Sequence, residues 1–196
     1  MLRLILCLAG CVAMLGGAPA SATGGGEPEQ PRWAVTGFGG VSLNNVWDEV
    51  FLAPQDLHFE EAYLAGVSVA RRLGEPVTGL SFELEGQLVR HFGSQTHWEV
   101  NAPILTARWG LFPWALDTTV AFGLGFSLAS ETPQLEVENE GDSQPFMVYW
   151  MIELDSELPA EDWRLVGRLH HRSSAYGVFG EDGGANALVL GVRRQF

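Results

Sequence analysis

A histidine and a serine two residues apart, His171 and Ser173, and an asparagine that a hairpin would bring beside them, Asn186, have the types and spacing for chemistry. A serine hydroxyl attacks an ester only when a base takes its proton, and the base needs a third group that fixes its tautomer. In that scheme Ser173 is the nucleophile, His171 the base and Asn186 the orienting partner, a neutral one that does not stabilise an imidazolium as a carboxylate would. Residues two apart on a strand have Cα atoms about 7 Å apart on one face, within reach of an imidazole and a hydroxyl. That face also carries Trp163, Leu165 and Leu169, whereas Arg164, Arg168, His170 and Arg172 share the other. A polar trio on an apolar face suits an enzyme whose substrate is a membrane lipid.

The elements that must position the trio are strands. Leu80, Phe82, Leu84 and Leu88 alternate with Ser81, Glu83, Glu85 and Gln87, and Val120, Phe122, Leu124, Phe126 and Leu128 alternate with small or polar residues. Phe146, Val148, Trp150, Ile152 and Leu154 form a further apolar face. Period two marks strands, and weaker versions at 33–43, 61–71 and 97–109, with the two carboxyl-terminal strands, bring the number to eight. Strands of about 10 residues suffice to cross a bilayer at a tilt. The fold class expected is therefore all-β, an eight-stranded antiparallel transmembrane β-barrel.

Long connections at 44–60, 130–145 and 174–185 alternate with short ones at 72–77, 110–116 and 157–162; 92–96 is a tight link on the long-loop side. Bacterial outer-membrane barrels have long outer loops and short periplasmic turns, which puts His171, Ser173 and Asn186 at the outer-leaflet level. The acidic stretch from Glu131 to Asp142 reads as a solvated outer loop, and Trp33, Trp98, Trp109 and Trp163 as interfacial belt residues. A soluble barrel such as a lipocalin shows the same alternation with its apolar face inward. The charges at Glu83, Glu85, Glu153, Arg164 and Arg168 favour a polar lumen instead.

Residues 1–22 have the form of a secretory signal, with Arg3, an apolar stretch from Leu4 to Leu15 and Ala20-Ser21-Ala22 as a cleavage site. The domain is then 23–196. A second reading uses Leu8-Ala9-Gly10-Cys11 as a lipoprotein processing site. Both cysteines, Cys7 and Cys11, fall in this segment, so a chain cut after Ala22 has no disulfide and no cysteine metal site. The chain has 11 basic residues, all arginine, against 24 acidic ones, a net charge of −13 that excludes a nucleic-acid footprint.

Arg168-Leu-His-His-Arg-Ser-Ser-Ala-Tyr-Gly177, then Gly183-Gly-Ala-Asn186 and Gly191-Val-Arg-Arg-Gln-Phe196, resemble the carboxyl-terminal hairpin of the lipid A 3-O-deacylase family, outer-membrane barrels that remove an ester-linked acyl chain with a His-x-Ser pair and a Glu. The resemblance spans about thirty residues. It implies His171 as base, Ser173 as nucleophile and lipid A or lipopolysaccharide of the outer leaflet as substrate; with the signal and loop pattern the expected location is the outer membrane, and no cofactor or metal is expected. Two positions depart from it: Asn186 stands where the acid is expected, and Ser174 follows the serine where Asn is common and linked to the oxyanion hole. Glu181 or Asp182 are the alternative acids. The alternation ending on Phe196 resembles the strand that outer-membrane assembly machinery recognises. A non-catalytic barrel with a structural or lipid-binding role is the competing function. Oligomeric state is not legible. Parity places His170 and His171 on opposite faces, against a shared metal.

Overall fold

The computed structural model describes residues 31–114, 117–179 and 183–196. The signal-like segment 1–22 with both cysteines, and the loop acids Glu181 and Asp182, lie outside the described residues. Eight strands close on themselves: β1 (Trp33–Leu43), β2 (Phe59–Val77), β3 (Leu80–Gly93), β4 (Trp98–Trp109), β5 (Thr118–Ala129), β6 (Phe146–Glu157), β7 (Trp163–Ser173) and β8 (Gly184–Gln195), each antiparallel to its neighbours, with β1 paired to β8. Closure leaves no edge strand with unpaired backbone groups. Among the described residues no helix is long and apolar enough to cross a membrane.

The strands present opposite chemistries on their two sides. Tyr63, Leu84, Leu88, Leu105, Phe122, Leu124, Phe126, Leu165 and Leu190 point outward and are exposed. Inside, Arg108 donates to Glu153 (2.7 Å), Asp155 (2.6 Å) and, more loosely, Glu83 (3.3 Å). Arg168 donates to Glu153 (2.8 Å) and Glu85 (3.1 Å), Arg193 to Glu83 (2.6 Å) and Arg164 to Asp155 (2.7 Å). This arrangement is the inverse of a soluble ligand-binding barrel. Charges buried as deeply as these persist only when paired and hydrogen-bonded, so the lumen is a linked set of ion pairs rather than a ligand cavity. Glycine clears room where the lumen must hold a large group: a Cβ on Gly66 would lie 2.6 Å from the ring of Phe38, over which the Arg168 guanidinium sits at 5.4 Å.

Trp33 and Trp163 at the short-turn end and Trp98 at the long-loop end each lie under an arginine, Arg71, Arg194 and Arg90 respectively, at 5.2–5.8 Å. Aromatic residues thus flank the apolar band at both ends, the pattern of strands that cross a bilayer.

Three expectations need correction. The segment 72–77 is strand rather than connection: β2 runs on to Val77 and pairs with β3 through two register shifts, and the turn is left to Thr78 and Gly79, where φ of 80° takes the left-handed conformation glycine tolerates. The short link on the long-loop side falls at 94–97, because β3 continues to Gly93. The acidic loop is not simply solvated, because it carries a helix, α1 (Gln134–Glu140), whose Glu136 is buried and paired with Arg172 at 3.3 Å. Burial pushes the Glu136 carboxyl up in pKa, and the Arg172 guanidinium opposes that rise.

The outward face of β5 provides the direct check on the bilayer assignment. Phe122→Arg is expected to lower folding stability by about 2–4 kcal/mol in lipid or detergent refolding titrations. Wild-type stability in this variant would place that face outside the hydrocarbon.

Candidate functional site

Strand pairing assembles the trio at the long-loop end. On β7, His171 pairs with Trp150 of β6 on one side and Asn186 of β8 on the other, and Asn186 pairs in turn with Leu43 of β1. Paired residues point to the same face, so Trp150, His171, Asn186 and Leu43 form one outward-facing row. Ser173, flanked by Val148 and Gly184, starts the next row toward the loops.

The row is outward-facing yet covered by neighbouring side chains. His171 and Asn186 are each 8% exposed, while Ser173 is partly exposed. Trp150 lies against the imidazole with ring centres 4.2 Å apart, and Trp47 from the loop after β1 meets Trp150 edge-on at 5.5 Å. That loop carries a single helical turn, Glu49–Leu52, and is held by Asn45. The Asn45 side chain donates to Glu49 (2.9 Å) and to the Asp56 carbonyl (3.2 Å) and accepts from the His58 N–H (2.6 Å).

Asn45 also reaches the site through its backbone. Asn186 Nδ2 donates to the Asn45 carbonyl at 2.7 Å, which commits Asn186 Oδ1 to accepting; it lies 2.7 Å from His171 Nδ1. The proton must therefore sit on Nδ1, leaving the Nε2 lone pair as the basic position. Ser173 is not hydrogen-bonded to His171; its Oγ accepts from the Ala175 N–H at 3.4 Å. Ala175 and Tyr176 both adopt left-handed backbone conformations, φ 54° and 58°, in the turn after Ser174. Consecutive non-glycine residues in that region carry strain, and here the strain aims a backbone donor at the serine.

Below the row lies an apolar groove of about 540 Å³ on the outward surface. Gly39 and Gly167 contribute no side chains to it, Ile152, Leu169, Leu188 and Leu190 wall it, and Val50 and Phe51 of the β1–β2 loop overhang it. Leu169 and Leu188 are a directly paired couple two residues from His171 and Asn186. The groove thus runs from the polar row toward the middle of the apolar band. His170 faces the lumen, where its Nε2 meets Glu99 at 3.0 Å and its Nδ1 meets Tyr149 at 3.3 Å.

No protein-family model and no curated protein sequence matches the chain. Solved structures do. The outer membrane enzyme PagL superposes with a TM-score of 0.55 at 11% identity, covering 83% of this chain and 99% of that one. The fold is that of the eight-stranded outer-membrane barrels. Neisserial surface protein A gives 0.48 at 12% identity over 84% of this chain and 97% of that one, and the Ail protein of Yersinia pestis 0.28 at 10% over 86% and 100%.

Asn45, Trp47 and Trp150 are site components that sequence reasoning missed. Parity puts Trp150 on the right face, and its register with His171 is the signal that was available; the loop residues offer none. The tautomer can be read directly. Nitrogen NMR of the refolded protein is expected to show His171 protonated on Nδ1, and Asn186→Leu to abolish that preference. A wild-type His171 protonated on Nε2 would contradict the hydrogen-bond chain from Asn45.

Proposed function

We propose that the chain is an outer-membrane esterase that hydrolyses an ester-linked acyl chain of lipid A, with Ser173 as nucleophile, His171 as base and Asn186 as the residue that orients the base. The observation that carries this reading is the oriented His171–Asn186 pair beside Ser173, set at the mouth of an apolar groove on the lipid-facing side. An acyl chain lying in that groove would bring its ester to the polar row while its headgroup stays with the loops.

Attack requires a rotation of Ser173 or His171 that brings Oγ to Nε2. The proton then passes to Nε2, the serine oxygen bonds the ester carbon, and the oxyanion forms next to the Ala175 N–H. Collapse expels the sugar hydroxyl, protonated by the imidazolium, and water releases the fatty acid by the reverse sequence. The resemblance of the His171 to Asn186 segment to lipid A 3-O-deacylases supports the substrate class, and the fold supports the setting.

A non-catalytic barrel is the second reading. It is favoured by the neutral Asn186 in place of a carboxylate and by the missing His171–Ser173 hydrogen bond.

Mass spectrometry of lipid A from cells with and without the protein separates the two. The esterase reading predicts loss of one acyl chain with the wild type, no loss with Ser173→Ala or His171→Ala, and a double variant no worse than either, since such groups act as a unit. Asn186→Ala is expected to slow the reaction strongly, and Asn186→Glu to restore or exceed it. Unaltered lipid A with folded wild type, across substrates of different acylation, would favour the non-catalytic barrel.

A further inference from the structure

On the lumen side of the same end of the barrel, a second cluster is independent of the esterase reading. His91 of β3, His97 of the 94–97 link and Glu99 of β4 each offer one ligand atom, and these atoms lie within 4.8 Å of one another. All three residues are buried, at 6%, 3% and 0% exposure. The two imidazole rings stack at 4.1 Å. His91 Nδ1 and His97 Nε2 are buried without any hydrogen-bond partner. Two orphaned nitrogens in one buried cluster are costly, since buried polar atoms are nearly always satisfied by protein, water or an ion.

Both oxygens of Glu99 are engaged. Glu99 meets His91 Nε2 at 2.8 Å through one oxygen and His170 Nε2 at 3.0 Å through the other. His170 thus steadies the carboxylate from outside the cluster, the way residues behind a metal's ligands usually do. Tyr149 in turn lies 3.3 Å from His170 Nδ1. Two imidazoles with one carboxylate suit zinc-like ions, whereas calcium and magnesium prefer all-oxygen sites. Tetrahedral ligation with bonds near 2.0–2.1 Å needs ligand atoms about 3.3 Å apart. Side-chain torsions of His97, which sits in the link rather than in a strand, can supply that contraction.

We propose that His91, His97 and Glu99 bind a divalent transition-metal ion of the zinc class, with water in the fourth position, clipping β3 to β4 at the long-loop end of the lumen. The site takes one ion per chain and leaves the outward-facing row of His171 untouched.

The test is a titration of untagged, chelator-treated, refolded protein with Co²⁺, read by visible d–d absorption. The expected result is a tetrahedral cobalt spectrum saturating at one equivalent, displaced by Zn²⁺ and unaffected by a large excess of Mg²⁺. His97→Ala, with barrel folding confirmed by heat-modifiable migration, should bind about tenfold or more weakly; His97→Gln serves if the alanine variant does not fold. Zn²⁺ should raise the thermal unfolding midpoint of the wild type and not of the variant. No cobalt spectrum with folded wild type, or unchanged affinity in the folded variant, would overturn the proposal.

Discussion

Backbone N–H and C=O groups in hydrocarbon have no water to bond, and everything in this molecule follows from that. The strands must close, because an open edge would leave a row of unsatisfied groups in the lipid. Once eight strands close, their inward faces meet across a lumen too narrow to hold water freely, and the charged residues there must neutralise one another. Arg108, Arg164, Arg168 and Arg193 meet Glu83, Glu85, Glu153 and Asp155, some on neighbouring strands and others across the lumen, as Arg193 of β8 meets Glu83 of β3. Such pairs add less to net stability than their number implies, given the desolvation each ion suffers. Their effect here is on register, because a strand slipped by one residue would exchange its charges with its apolar face.

The rigid wall that results is what the candidate site is built on. His171 and Asn186 are held by strand register, and the β1–β2 loop adds what register cannot. Through Asn45 the loop anchors itself and, by its carbonyl, the Asn186 amide; through Trp47 it covers Trp150 and the imidazole. The same loop overhangs the groove with Phe51. One loop therefore sets the tautomer of His171, covers its imidazole and overhangs the apolar groove. The serine sits just beyond this cover, next to a strained turn, and is the member of the trio with room to move.

The period-two alternation made the strands, their faces and the inward charges legible, since a barrel imposes that period on every crossing. Strand ends were less so. At 72–77 the Gly-Glu-Pro sequence has the residues of a turn, yet ladder pairing carries on through two register shifts that no local signal announces. Glu136 is indistinguishable in sequence from its solvated neighbours, and its burial goes with a pairing to Arg172 of β7 at 3.3 Å that no local signal announces. Parity put His171, Ser173 and Asn186 on one face; the cover that Trp47 adds over Trp150 and His171 depends on loop packing, which has no period. His91 and Glu99 share the lumen parity, but their meeting with His97 is a product of a four-residue link, 94–97, whose geometry the sequence does not specify.

The central claim is that Ser173 is a nucleophile activated by His171, and covalent trapping tests it most directly. The refolded protein would be treated with a lipid-like fluorophosphonate and the modified peptide identified by mass spectrometry. The account predicts a single adduct on Ser173, lost in His171→Ala and reduced in Asn186→Ala. Folded wild-type protein that takes up no probe, or takes it up at another residue, would contradict it.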